Sequence, residues 1–331
     1  MRSYINVNLS KIKRNVEEIK KINPKTLIAV VKSNAYGLGS VEITKFLESL
    51  SIKYFCVATL QEAIQLRKNN IRGHIIVLEK SNDFLSYIKF NLIYVVYDLD
   101  SLKEIIRLNL PLRFHIKFNT GLNRLGIEEE NIDQLKELIL TNKLHIEGIF
   151  SHISSPSSYE EQLVKFKKIA EKFDNFNNLL IHLDSSRFID KTNFTNAIRV
   201  GLSLFSFKEN AVSLISPIIK QKQVYKNEIV GYNPDSRTPS NGYLITIPLG
   251  YADGWNSYRI TLGYVDNFKI QQIGDTCMDH LILFSQKEIK SPTIEIIGDH
   301  ITLSYLSSLY EESEYHILAT LSSRLKRNYF K

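Results

Sequence analysis

From about residue 10 to residue 205 the chain repeats one pattern: a short apolar, β-branched run, then a longer amphipathic stretch. Candidate strands fall at 26–31, 53–58, 74–78, 92–97, 113–118, 145–151, 179–183 and 197–202. Helical periodicity marks 11–21, 40–51, 60–68, 102–108, 131–140 and 160–173. Strands that read as unbroken apolar runs, rather than alternating ones, belong to parallel sheets covered on both faces. Eight of them, separated by roughly seven helical segments, is the count of a (β/α)8, TIM-like barrel in the α/β class. We place this barrel at residues 10–206.

After about residue 206 the texture changes. Segments 213–224, 228–232, 242–248, 268–273, 280–284 and 293–297 read as strands joined by turn-rich links, which predicts a second, mainly β domain over 207–331. Residues 1–9 alternate polar and apolar and are expected to pack on it as a strand.

Composition narrows the function classes. With 331 residues, 44% of them hydrophobic, the chain can build a substantial core. No apolar stretch nears the ~20 residues of a membrane span, and the N-terminus lacks a signal-peptide hydrophobic region. Two cysteines, Cys56 and Cys277, make neither a disulfide framework nor a metal site, so a reducing cytoplasm is the expected location. Lysine plus arginine exceeds aspartate plus glutamate by 42 − 35, or +7. The basic residues are scattered along helix faces without interleaved stacking aromatics, which argues against a nucleic-acid partner.

In a barrel of this kind the working groups gather at the C-terminal ends of strands. Lys32 ends the first, in Ala29-Val30-Val31-Lys32-Ser33-Asn34-Ala35-Tyr36-Gly37. Partial desolvation there favours a neutral, nucleophilic amine suited to capturing an aldehyde cofactor. Lys117 and the Asn119–Gly126 loop with Arg124 follow the fifth strand; His152 ends the sixth; Ser185 and Ser186 follow the seventh; Arg199, Gly201 and Leu202 lie on the eighth. Singly, each is as well explained by a solvated lysine or a satisfied structural histidine or arginine. The second domain adds Gly250-Tyr251-Ala252-Asp253-Gly254-Trp255 and Gly274-Asp275-Thr276-Cys277-Met278-Asp279, otherwise a turn with a packed aromatic and a buried Cys-Met pair.

Taken together, the Lys32 and Tyr251 motifs, with Tyr315-His316-Ile317-Leu318 and Arg324 to Tyr329 near the C-terminus, resemble the alanine racemase family over essentially the whole chain. That resemblance implies pyridoxal 5'-phosphate (PLP) held on Lys32 and a two-base racemisation of alanine, with Lys32 on one face of Cα and Tyr251 on the other. It implies a homodimer in which Tyr251 and the Met278 amide reach the partner's site. By the same resemblance Tyr36, Ser186, Gly201, Leu202 and Tyr315 bind the cofactor phosphate, and His152 lies beside its ring. Arg199 partners the ring nitrogen, Arg124 faces substrate carboxylate, and Lys117 matches a lysine often carbamylated. The product would be D-alanine for peptidoglycan.

Leu38, Asn119 and Ser185 depart from the family pattern, where histidine, an acidic residue and asparagine are common. Three other readings compete: a racemase for serine or basic amino acids, a PLP-dependent decarboxylase of the same architecture, and a non-catalytic PLP-binding barrel. The last would end near the eighth strand, whereas this chain continues for over a hundred residues.

Overall fold

A computed structural model describes residues 2–189, 192–257 and 259–331. The chain forms two compact units, one of residues 16–35 and 40–204, the other of residues 1–15, 36–39 and 205–331.

After a first strand β1 (Tyr4–Asn8), eight strands close a parallel barrel in sequence order: β2 (Thr26–Val30), β3 (Tyr54–Val57), β4 (His74–Val77), β5 (Ile93–Val96), β6 (Arg113–Lys117), β7 (Ile146–Phe150), β8 (Leu180–Ser185) and β9 (Ala197–Val200). β2 pairs with both β3 and β9, which closes the ring. Part of the interior is apolar: Ile28, Cys56, Ile76, Ile93, Val95, Phe150 and Ala197 form one buried cluster. Helices separate most of the strands, and three of them have starts capped by side chains. Thr59 and Glu62 make a capping box at the head of Leu60–Lys68, and Asp98 caps Leu99–Arg107. One helix, Phe84–Lys89, escapes the sequence reading because six residues span too few turns to show a period. It buries Phe84 and Tyr87, and Asp83 caps it.

In the other unit nine strands form one sheet. The later strands are β10 (Val212–Pro217), β11 (Lys220–Val224), β12 (Gly242–Ile247), β13 (Leu262–Val265), β14 (Phe268–Gln272), β15 (Leu281–Ser285), β16 (Thr293–Ile297) and β17 (Lys326–Phe330). Their order is β11-β12-β15-β14-β13-β16-β10-β1-β17. β1 pairs antiparallel with β10 and parallel with β17.

Several details of this unit differ from the sequence expectation, which has no strand at β13 or at β17. The run 213–224 is two strands, because the chain changes neighbours after Pro217: the Ile218 amide goes to the Pro292 carbonyl and the Ile219 amide to that of Thr246. Segment 228–232 keeps only an isolated bridge, Ile229 to Arg237, with Gly231 at a φ of 75°. Two C-terminal helices, Leu303–Tyr310 and Glu314–Ala319, are capped by Thr302 and Ser313.

Candidate active site

The residue after β2 that carries the barrel's terminal amine is followed by an unusual turn. Ser33, Asn34, Ala35 and Tyr36 all have φ between 51° and 55°, a left-handed turn without a glycine. Each non-glycine residue held there costs about 1–2 kcal/mol, so the surroundings must over-determine the shape. The Glu62 carboxylate accepts hydrogen bonds from the amides of Ser33 (2.5 Å), Ala58 (2.8 Å) and Thr59 (3.2 Å). Asn34 Oδ1 accepts from the Ser40 amide at 2.9 Å, and the Ala35 amide returns to Val31 O at 2.9 Å. The turn therefore fixes Lys32 at the strand end by hydrogen bonds that sequence spacing does not reveal.

Arg199 is the most heavily tied group in the barrel. One terminal nitrogen lies 2.5 Å from His182 Nδ1 and 3.0 Å from the His182 carbonyl. The other donates to Ser151 O at 2.6 Å and lies 3.4 Å from His152 Nδ1. The guanidinium sits 5.0 Å from the Phe150 ring centroid, and Phe150 in turn stacks on His182. Burial lowers its pKa to about 10, which still leaves about 0.1% neutral at pH 7. Because arginine only donates, His182 Nδ1 accepts and its proton resides on Nε2. That proton faces His115 Nδ1 at 3.0 Å, so His115 is protonated on Nε2, an atom buried without a partner among the described residues.

Burial, reinforced by the Arg199, Arg124, Lys117 and Lys32 charges, pushes His152 down to about 3. It is a neutral imidazole whose Nδ1 accepts from Arg199, leaving Nε2–H as a donor. Lys117, 7% exposed, is lowered to about 8 by burial and then by Arg124, Arg199 and Lys32. Its Nζ has no hydrogen-bond or ion-pair partner among the described residues. Here, then, are four cationic side chains whose mutual repulsion a bound anion relieves.

At the end of β8 the Ser186 hydroxyl accepts from the amides of Gly201 (3.1 Å) and Ser203 (3.4 Å). Leu202 opens the short turn Leu202–Leu204, whose first amides lack acceptors within the turn. A hydroxyl and backbone N–H groups thus converge, as phosphate requires.

In the other unit, Tyr36 is buried, its ring 5.4 Å from that of Tyr315 and 6.2 Å from that of Phe205. Tyr251 and Met278 are 47% and 55% exposed. Their loops are zipped together: the Tyr251 amide donates to Cys277 O (3.2 Å) and the Ala252 amide to Met278 O (3.0 Å). Gly250 permits this approach, since a Cβ there would overlap the Cys277 and Met278 carbonyls. Gly254 ends the turn at a φ of 80°.

The family description "Alanine racemase, N-terminal domain" matches residues 7–208, and "Alanine racemase, C-terminal domain" matches 211–329. The chain belongs to the alanine racemase family. It is an enzyme, an amino-acid racemase. An alanine racemase of Fusobacterium nucleatum is 34% identical over 329 residues, covering 92% of this chain and 91% of the relative. An amino-acid racemase of Enterococcus faecalis is 31% identical over 96% of this chain, which spans half of that longer protein. Among solved structures, the alanine racemase of Clostridium difficile 630 superposes with a TM-score of 0.92 at 26% identity, covering 100% of this chain and 96% of that one.

Within this racemase two of the three departures from the family pattern have local reasons. Asn119 Nδ2 donates to both Glu128 carboxylate oxygens (2.9 and 3.1 Å) and to Asn123 Oδ1 (2.9 Å). Its Oδ1 accepts from the amides of Gly121 (3.1 Å) and Asn123 (3.0 Å). An aspartate there would confront the Glu128 carboxylate, so Asn119 and Glu128 are a matched pair that shapes the Arg124 loop. Leu38 is fully buried, where an imidazole would lose its hydration. For Ser185 the structure gives no comparable reason. Cys56, buried and pushed up to about 12, is chemically inert. Residues that sequence reasoning missed are His182, which meets Arg199, His115 behind it, and Glu62, which holds the turn after Lys32.

Proposed function

We propose that this racemase interconverts L- and D-alanine with PLP as cofactor, and that the D-alanine serves peptidoglycan synthesis. The observation carrying this reading is the clustering of Lys32, Lys117, Arg124 and Arg199 with a neutral His152, beside the Ser186, Gly201 and Leu202 donors. These residues fit an anionic, planar, phosphorylated aldehyde: an amine to bond it, amides and a hydroxyl for its phosphate, and a permanent cation for its ring nitrogen. Bound PLP supplies an electron-withdrawing conjugated ring that acidifies the substrate α-C–H.

Lys32 would hold the cofactor covalently, and its amine, when free, would move a proton at Cα on one face. Tyr251, supplied by a second copy of the chain in a homodimer, moves a proton at the opposite face. Two groups are needed because a single base tends to return the proton to the side it left. Arg199, which keeps its own proton, would face the ring nitrogen of a bound cofactor as a donor and would disfavour its protonation, so that protonation at Cα would be favoured over side transamination. The His152 Nε2–H orients the Tyr251 phenol. Tyr36, Tyr315, Ser186 and the amides of Gly201 and Leu202 hold phosphate. Arg124 and the Met278 amide bind the substrate carboxylate, and Tyr251 and Tyr315 restrict the side chain to a small one. Lys117, a buried amine with a lowered pKa, reacts with carbon dioxide to give a carbamate and a proton; that new anion orients Arg124.

The test is the visible spectrum of the purified enzyme together with chiral chromatography of an L-amino-acid panel. Expected results are a borohydride-reducible chromophore lost in Lys32→Ala and a clear preference for alanine. Turnover of serine or lysine without that preference would favour the broader activity named for the Enterococcus relative. Carbon dioxide release would indicate a decarboxylase.

A further inference from the structure

Resting on the reading of Tyr251 as a base, we propose that Arg2 and Arg324 are positioning residues, which clamp the Tyr251 turn to the Met278 turn through Asp253 and Asp279. Asp253, two residues after Tyr251, is completely buried. Its Oδ2 accepts from Arg2 and from the Gly250 amide at 3.0 Å, and its Oδ1 faces Arg324 Nε at 3.5 Å. Arg324 reaches onward to Asp279 Oδ1 at 2.6 Å, and a terminal Arg2 nitrogen lies 3.4 Å from the Asp279 carbonyl. Arg324 holds the Asp279 carboxyl below its usual range. The Ser322 amide donates to Asp253 O at 2.9 Å and its hydroxyl to Ala252 O at 3.1 Å.

The two arginines come from opposite ends of the sequence and meet two aspartates from separate turns. Asp253 serves as their hub. A surface ion pair contributes little to stability, but a fully buried carboxylate stranded without its cations is costly. The ties cross the Tyr251 turn on both sides, while the Tyr251 phenol itself stays exposed. Such a clamp fixes where a half-exposed phenol points, a role in orientation that effective catalysis requires.

The experiment compares Arg324→Ala and the milder Asp279→Asn with Tyr251→Phe and the unmodified holoenzyme. It reads α-proton exchange into solvent from L-alanine and D-alanine separately, with KM, cofactor content, and deuterium uptake by segment 249–255. If Tyr251 serves L-alanine, Tyr251→Phe loses exchange from L-alanine selectively. Arg324→Ala should then lose about tenfold from L-alanine and less than twofold from D-alanine, at unchanged cofactor content and with any rise in KM common to both enantiomers. Asp279→Asn should show the same asymmetry more weakly. Both should speed deuterium uptake in 249–255 severalfold. Equal loss with both enantiomers, no loss, or unchanged uptake overturns the clamp while leaving the Tyr251 reading intact. A symmetric loss in Tyr251→Phe overturns that reading instead, and the deuterium result alone then decides the clamp.

Discussion

His182 Nδ1 lies 2.5 Å from a terminal nitrogen of Arg199, inside the barrel and out of reach of water. This neutral acceptor sets the arginine's direction, and the peptide carbonyls of His182 and Ser151 secure it. His182→Leu strands a buried guanidinium donor, a loss of about 1.5–3 kcal/mol for a charged hydrogen bond. We expect that much destabilisation, and a rise in pyruvate formed per racemisation event as Arg199 loses its fixed place. Coupled pyruvate detection beside chiral chromatography measures the ratio. His182→Gln, which keeps an acceptor, should lie between; an unchanged ratio in His182→Leu would count against orientation by this imidazole.

The same burial makes acid costly. The pKa values of His115 and His152 are lowered to about 3, against about 6.5 in an unfolded chain. The unfolded state therefore takes up protons that the folded state refuses, so stability is lost as pH falls from about 6.5 toward about 3. At pH 5 each histidine withdraws about 2 kcal/mol. Urea unfolding of wild type and His115→Asn at pH 7 and pH 5 tests this. The variant should lose about 2 kcal/mol less than wild type over that interval.

Much of this arrangement is legible in the sequence because strands and helices leave periodic traces. The eight parallel runs and the strand-end residues Lys32, His152 and Arg199 follow from pattern and position. His115 and His182 do not, since a histidine within an apolar run carries no sign of which neighbour it will meet across a barrel. Glu62 completes a capping box with Thr59, and its carboxylate also holds the Ser33 amide, twenty-nine residues away in sequence, a contact no local spacing shows. The left-handed turn after Lys32 is likewise silent, because it contains no glycine before Gly37. In the other unit the chain changes sheet neighbours after Pro217, and the strand-like composition of 213–224 does not mark where the first strand ends.

That turn makes its own prediction. Ser33→Gly removes the Cβ penalty of left-handed backbone and should stabilise the protein by up to about 1 kcal/mol. Ala35→Val places a β-branched side chain at a φ of 51° and should destabilise by about 2 kcal/mol or more. Glu62→Gln weakens acceptance from three amides and should cost about 1–3 kcal/mol. Thermal unfolding of the three variants checks the order; a stabilised Ala35→Val would refute the strain.

The buried amine of Lys117 gives the last prediction. Its pKa, lowered to about 8, makes roughly a tenth of it neutral at pH 7, against about 0.03% for an ordinary lysine at 10.5. Carbamate formation consumes that neutral amine, and the resulting anion meets Arg124 and Arg199 rather than water. Incubation with carbon-13 bicarbonate at pH 8 should therefore give a carbamate resonance that disappears on acidification and is missing from Lys117→Ala. In Lys117→Ala, KM for alanine should rise more than kcat falls, because Arg124 loses its orienting anion while the two bases are untouched. A wild-type protein without that resonance would leave Lys117 a bare cation, whose repulsion of Arg124 would then have to be met by the substrate carboxylate itself.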